Sequence, residues 1–180
     1  MIRVWERYHT FPFTVRRLNP QMLIDVKGQV NPSCSRSHIT YSFDLCQSGG
    51  QVNIRFKYDP KRLESLEQSK ILILDSLEKY STFEHYPSTA DNWQSFLPLT
   101  NLITISVDDP NHHRGAGHRH DPQQQLFLSE HQSSPGFVSG PIVAGMWKVT
   151  LSLHSIITET CSYELQVWSE QEELNALGSL

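Results

Sequence analysis

The feature that most constrains this chain is a strict alternation of apolar and polar residues in several separate runs. Ile39, Tyr41, Phe43 and Leu45 alternate with His38, Thr40, Ser42 and Asp44, and Val52, Ile54, Phe56 and Tyr58 alternate with Gln51, Asn53, Arg55 and Lys57. A period of two places every apolar member on one face of an extended strand, so each run specifies a strand with one buried side. The linker Cys46-Gln47-Ser48-Gly49-Gly50 carries paired glycines, which predict a short antiparallel hairpin between the two runs. Ile103, Ile105 and Val107 mark another strand that stops at Asp108-Asp109-Pro110, where proline removes a ladder donor. Trp147, Val149, Leu151 and Leu153, then Tyr163, Leu165 and Val167 after a polar turn around Glu159, predict a second hairpin. Phe11–Val15 and Leu23–Val26 add candidate edge strands. Six to eight strands within 180 residues specify one domain over 1–180, an all-β, jelly-roll-like antiparallel sandwich.

One segment follows a different period. Leu63, Leu66, Lys70, Ile73, Leu74 and Leu77 recur at spacings of three and four, which predicts a helix over Pro60–Tyr80, capped by Asp59 with Pro60 in its first turn. Residues 81–98, with Pro87, Trp93 and Pro98, read as an irregular continuation, so 60–98 forms an insertion of one helix and loop. Residues 169–180 read as an acidic tail. A net charge of -4 supplies no basic surface for nucleic acid. No stretch reaches the roughly 18 apolar residues of a membrane span, and the start of the chain lacks the apolar core of a signal peptide, so a cytoplasmic location is expected. Three widely spaced cysteines, Cys34, Cys46 and Cys161, read as reduced thiols.

The densest chemistry lies in His112-His113-Arg114-Gly115-Ala116-Gly117-His118-Arg119-His120-Asp121. His118 and His120 share a side of an extended segment, and His113 approaches them if the glycines fold the loop back. Three imidazoles and a water form an open zinc arrangement, with Asp108, Asp109 or Asp121 as an oxygen ligand. That reading gives a small metal-dependent hydrolase using His113, His118 and His120. In a second reading Arg114 and Arg119 fork onto a small anionic ligand while Gly115 and Gly117 present backbone N–H groups to it. In a third, Arg114 caps carbonyls of the following turn or pairs with Asp108 or Asp109. Trp93 and Phe96, in a stretch without periodic core demand, are candidates for a ligand or protein contact. No Gly-x-Ser-x-Gly elbow occurs, and Ser129 with His131 is a pair in sequence only. Pro135-Gly136, Gly140-Pro141 and Gly145 set reversals that aim Phe137, Ile142 and Trp147 into the core.

The ordered pieces Asn101-Leu102-Ile103, Asp108-Asp109-Pro110, Arg114-Gly115-Ala116-Gly117-His118-Arg119, Ser134-Pro135-Gly136-Phe137, Gly140-Pro141-Ile142, Gly145-Met146-Trp147 and Cys161-Ser162-Tyr163-Glu164-Leu165 resemble the N-terminal β-rich domain of the CehA/McbA-type metallohydrolases. In that family a metal-dependent PHP phosphoesterase domain follows, and it would need about 200 further residues. The resemblance therefore implies an accessory, non-catalytic binding or protein-interaction module with no cofactor of its own. Its partner would be a separately encoded hydrolase or a second copy of the chain; a structural homodimer is the remaining alternative.

Overall fold

The computed structural model describes residues 15–17, 20–80, 90–117 and 120–174. Its strands, in chain order, are β1 (Val15–Arg17), β2 (Gln21–Val30), β3 (Ser37–Leu45), β4 (Gln51–Asp59), β5 (Leu102–Asp108), β6 (His113–Gly117), β7 (Gln123–Ser129), β8 (Gly145–Ser155), β9 (Cys161–Glu170) and β10 (Glu172–Leu174). One four-stranded sheet has the order β2-β9-β4-β7, the other β3-β8-β5-β6, and β1 pairs with β10 in a separate ribbon. All of these pairings are antiparallel. Within them β2 meets β9, β3 meets β8, β4 meets β7 and β5 meets β6. That nesting is a long hairpin rolled over on itself, the jelly-roll connectivity.

The nesting corrects both expected hairpins. β3 and β4 lie in different sheets, as do β8 and β9. The Cys46–Gly50 segment is a crossover at the rim, tied down by Gly49 N donating to Ile142 O at 2.7 Å and Ala144 N donating to Ser48 Oγ at 2.9 Å. The β8–β9 crossover is held by Asn101, which is fully buried. Its Oδ1 accepts from Ile157 N at 2.7 Å, and its Nδ2 donates to Pro60 O at 2.8 Å and Thr158 Oγ1 at 2.7 Å.

The alternation does set the core. Val52, Ile54, Phe56, Leu128, Leu165 and Val167 from one sheet and Ile103, Ile105, Val107, Trp147, Val149 and Leu151 from the other are all 0% exposed. Each side chain of this size contributes about 1.5–3 kcal/mol on burial. Phe43 stacks on Trp147 with ring centroids 6.2 Å apart. Leu23–Val26 falls in β2, at the edge of its sheet as expected. Phe11–Thr14 lie outside the described residues.

The helix, α1, spans Leu66–Tyr80 rather than starting at Pro60. Lys61–Leu63 are drawn into extended pairing instead: Asn101 N donates to Lys61 O at 2.9 Å and Leu63 N to Leu99 O at 3.1 Å. Ser65 Oγ, accepting from Gln68 N at 3.2 Å, takes the capping role expected of Asp59. A short 3-10 turn at Trp93–Phe96 follows. Ser169 and Glu170, expected in a tail, end β9, and Glu172–Leu174 form β10. Among the described residues no helix is long and apolar enough to cross a membrane.

Candidate functional site

The candidate loop is largely strand and turn. β5 reverses through Asp109–His112 into β6, with Asp109 N donating to His112 O at 3.0 Å. Val107 opposes Gly115 and Asp108 opposes His113, so Arg114 is the unpaired residue of a β-bulge. The bulge turns Arg114 inward. Its Nε donates to Val138 O at 3.0 Å, Nη1 to Asp109 Oδ2 at 3.0 Å and Pro141 O at 3.1 Å, and Nη2 to Gly140 O at 3.1 Å. The guanidinium also lies 5.6 Å from the Trp147 ring centroid. Burial alone would raise the Asp109 carboxyl. The N–H groups of Asn111 and His112 and the guanidinium outweigh it and hold the carboxyl below its ordinary value.

Arg114 thus caps the 138–141 turn and pairs with Asp109. At 1% exposure, with its donors spent on protein acceptors, it offers nothing to an anion in solution. The backbone of Gly115 faces Phe137 in a bridge, and Gly117 pairs with Ile105. His113 is exposed, its Nδ1 2.7 Å from Asp108 Oδ1. His120 is exposed in the following loop, and His118 and Arg119 lie outside the described residues. Among the described residues no group of three or more His, Cys, Asp or Glu side chains is placed to hold a metal. Trp93 is half-buried against α1, its ring centroid 5.8 Å from Lys70 Nζ. Phe96 is 46% exposed and borders an apolar hollow of about 500 Å3 with Leu72, Leu77, Tyr80 and Leu99.

A different surface gathers more usable chemistry. On the outer face of the β2-β9-β4-β7 sheet, side chains fall into rows across the strands. Glu170, Gln51 and Ser129 form one row, and Met22, Trp168, Asn53 and Phe127 the next. Then come Asp25, Gln166, Arg55 and Gln125, and beyond them Lys27, Glu164, Lys57 and Gln123. In the outermost row Glu164 is 3.1 Å from Lys27 Nζ and 3.0 Å from Lys57 Nζ, so one carboxylate bridges the two ammonium groups.

The first two rows are less complete. Asn53 is 8% exposed although it sits on an outer face, its Oδ1 accepts from Gln51 Nε2 at 2.5 Å, and its Nδ2 has no hydrogen-bond partner among the described residues. Trp168 Nε1 donates to Glu170 Oε1 at 3.1 Å, and the Arg55 guanidinium lies 5.7 Å from the Trp168 ring centroid. Gln51 and Glu170 continue into a cleft of about 230 Å3, lined also by Ser129, Glu130, His131 and Gln171. On its other side Trp168 borders a hollow of about 210 Å3 with Pro20, Met22, Arg55 and Gln166. Ser129 Oγ donates to Gln132 O at 2.9 Å and accepts from Gln132 N at 3.3 Å, so its proximity in sequence to His131 makes no nucleophile pair.

The sequence singled out none of these residues as a site. Asn53 and Gln51 read there as the polar half of an alternating strand, and a polar residue facing outward gives no signal until its burial is known.

No family model matches the chain, and no curated protein matches it. Among solved structures it is similar to PliG of Aeromonas hydrophila, a periplasmic lysozyme inhibitor of g-type lysozyme. The identity is 13% and the TM-score 0.36, over 84% of this chain and 88% of that one. GEBA250068378 from Sulfurospirillum deleyianum is similar at 8% identity and a TM-score of 0.27, over 82% and 96% of the two chains. Scores this low leave function to the residues of the chain itself.

Proposed function

We propose that the chain is a non-catalytic binding module whose recognition surface is the outer face of the β2-β9-β4-β7 sheet, with the cleft at its end. The observation that carries this reading is the cleft of about 230 Å3 lined by Gln51, Ser129, Glu130, His131 and Glu170, at the end of the row that brings Met22, Trp168 and Phe127 together. An apolar row beside a polar cleft joins surface that gains from burial to a few polar groups that fix orientation, the usual make-up of a recognition site. The reading keeps the non-catalytic module expected from the sequence and moves its contact surface away from the 111–121 loop, whose central arginine is spent on the fold.

The test is chemical-shift mapping of the full chain with small neutral, cationic and anionic fragments. The expected perturbations gather on the Asn53 and Gln51 amides and the Trp168 indole. Perturbations that gather instead around residues 108–117, or scatter without a centre, overturn the reading. Elemental analysis addresses the hydrolase alternative built on His113, His118 and His120. Near-stoichiometric zinc in protein purified without a histidine tag, lost on His113→Ala, would replace the non-catalytic reading with that one.

A further inference from the structure

We infer that the chain pairs with a second copy of itself along β2, so that two β2-β9-β4-β7 sheets become one continuous antiparallel sheet. The inference goes beyond the binding-module reading and stands without it.

The two sides of the sandwich end differently. On one side the edge strands are β6 and β7, and residues 132–138 close both. Along β6, Ala116 N donates to Gly136 O at 3.1 Å and Val138 N to Arg114 O at 2.7 Å; along β7, Ser134 N donates to Phe127 O and Ser129 N to Gln132 O, both at 2.9 Å. On the other side the edges are β2 and β3, ten and nine residues long. Among the described residues no loop makes a backbone hydrogen bond to β2. Every second residue of an antiparallel strand turns its N–H and C=O away from its neighbour, so β2 presents an open row of such groups. The core is thin on this side too. Leu23, Val26, Cys34, Ile39 and Tyr41, half-buried against the core, all come from β2, β3 or the turn between them.

The residues of β2 select the strand that fits there. Two copies lying side by side and antiparallel are related by a two-fold axis normal to the sheet, which sets residues of the same face opposite one another. With the axis at Val26, Asp25 of each copy faces Lys27 of the other, Val26 faces its own equivalent, and Ile24 faces Gly28. With the axis one residue to either side, Asp25 faces Asp25 or Lys27 faces Lys27. Opposite charges across a strand pair stabilise it and like charges destabilise it, so the two residues specify one register. Both side chains are placed to reach across. Lys27 is 73% exposed even with its Nζ 3.1 Å from Glu164, and Asp25 is exposed, accepting one hydrogen bond from Gln166 Nε2 at 3.2 Å. A lysine on an edge strand ordinarily repels other strands. Here the chain carries its counter-charge at the spacing that self-pairing requires. The same axis puts the outer faces of both copies, with their Trp168 rows, on one side of the joined sheet.

The experiment is sedimentation velocity of the full chain at concentrations from about 5 to about 500 µM. The mass is expected to rise with concentration from 20.7 kDa toward twice that value. Asp25→Lys and Lys27→Asp each set like charges opposite, and the two-fold axis counts each change twice, so each should raise the dimer Kd about tenfold or more. The double variant, which swaps the charges, should restore pairing. Thermal unfolding checks that all three remain folded. Hydrogen exchange gives a second reading on the unaltered chain: protection of the Ile24–Gly28 amides should rise with concentration. A chain that stays monomeric throughout overturns the inference. So does a dimer indifferent to the charge variants, which would use β3 or another surface, and so does β2 protection that is the same at every concentration.

Discussion

Arg114 Nη1 lies 3.0 Å from Asp109 Oδ2, and both side chains are 1% exposed. A charge pair this deep is favourable only as a unit, because removing one partner strands the other in a medium that cannot solvate it. Asp109→Asn is therefore expected to lower stability by about 3–5 kcal/mol, read from urea midpoints at neutral pH. A loss below about 1 kcal/mol would show that the carbonyls of residues 138–141 hold the guanidinium unaided.

The same pair fixes a pH dependence. The Asp109 carboxyl titrates below its ordinary value of 3.8 in the folded chain. Its contribution is thus complete above that value and is lost as pH falls through the lowered one. The stability gap between the wild type and Asp109→Asn should be constant above about pH 5 and shrink below it. A gap that stays level down to acid unfolding would mean that the carboxyl is not held down.

Asn53→Leu should do the opposite of most core substitutions. It removes a buried donor without a partner and supplies apolar surface beside Trp168 and Phe127, and the half-buried Gln51 that loses its Asn53 acceptor can turn to water, so stability should rise by about 1 kcal/mol. A lowered urea midpoint would show that Asn53 Nδ2 is satisfied in solution.

The thiols should separate by reactivity. Cys46 is exposed and Cys161 buried, and burial pushes the Cys161 thiol above its ordinary value. Ellman's reagent should titrate Cys46 at once and Cys161 only in denaturant. Rapid labelling of Cys161 in native buffer would place the β9 end of the sandwich in an open state.

Gly115 holds φ at 120°, and a Cβ there would overlap Gly136 O. Gly115→Ala should destabilise by more than about 1 kcal/mol, measured by thermal unfolding, whereas Gly49→Ala, whose nearest neighbour would be 3.9 Å away, should cost less.

Alternation in the sequence identified which side chains face inward, because that depends only on the strand itself. It carried no information on which strand lies alongside. Phe43 and Val52 keep the same pattern whether their strands are hairpin partners or sit in opposite sheets, and the glycines at 49 and 50 permit a rim crossover as readily as a tight turn. β6 was hidden by its own content, since an inward arginine and two glycines do not read as a strand. β7 was hidden by Gln123-Gln124-Gln125. Arg114 was legible as a structural residue, given the aspartates nearby and the turn that follows. The Asn53 surface was not, because it is assembled from β2, β4, β7 and β9, which the sequence keeps far apart.

The nested strand order also bears on how the chain is made. Among the described strands β2 is hydrogen-bonded to β9 alone, and Val30 meets Cys161 roughly 130 residues downstream. At a synthesis rate of about 5–20 residues per second, β2 waits on the order of ten seconds beside the ribosome with a bare backbone edge. The nascent chain is then most exposed to chaperone capture or mispairing before Cys161 emerges, and a pause introduced between β8 and β9 should lower the yield of soluble protein more than one placed after β9.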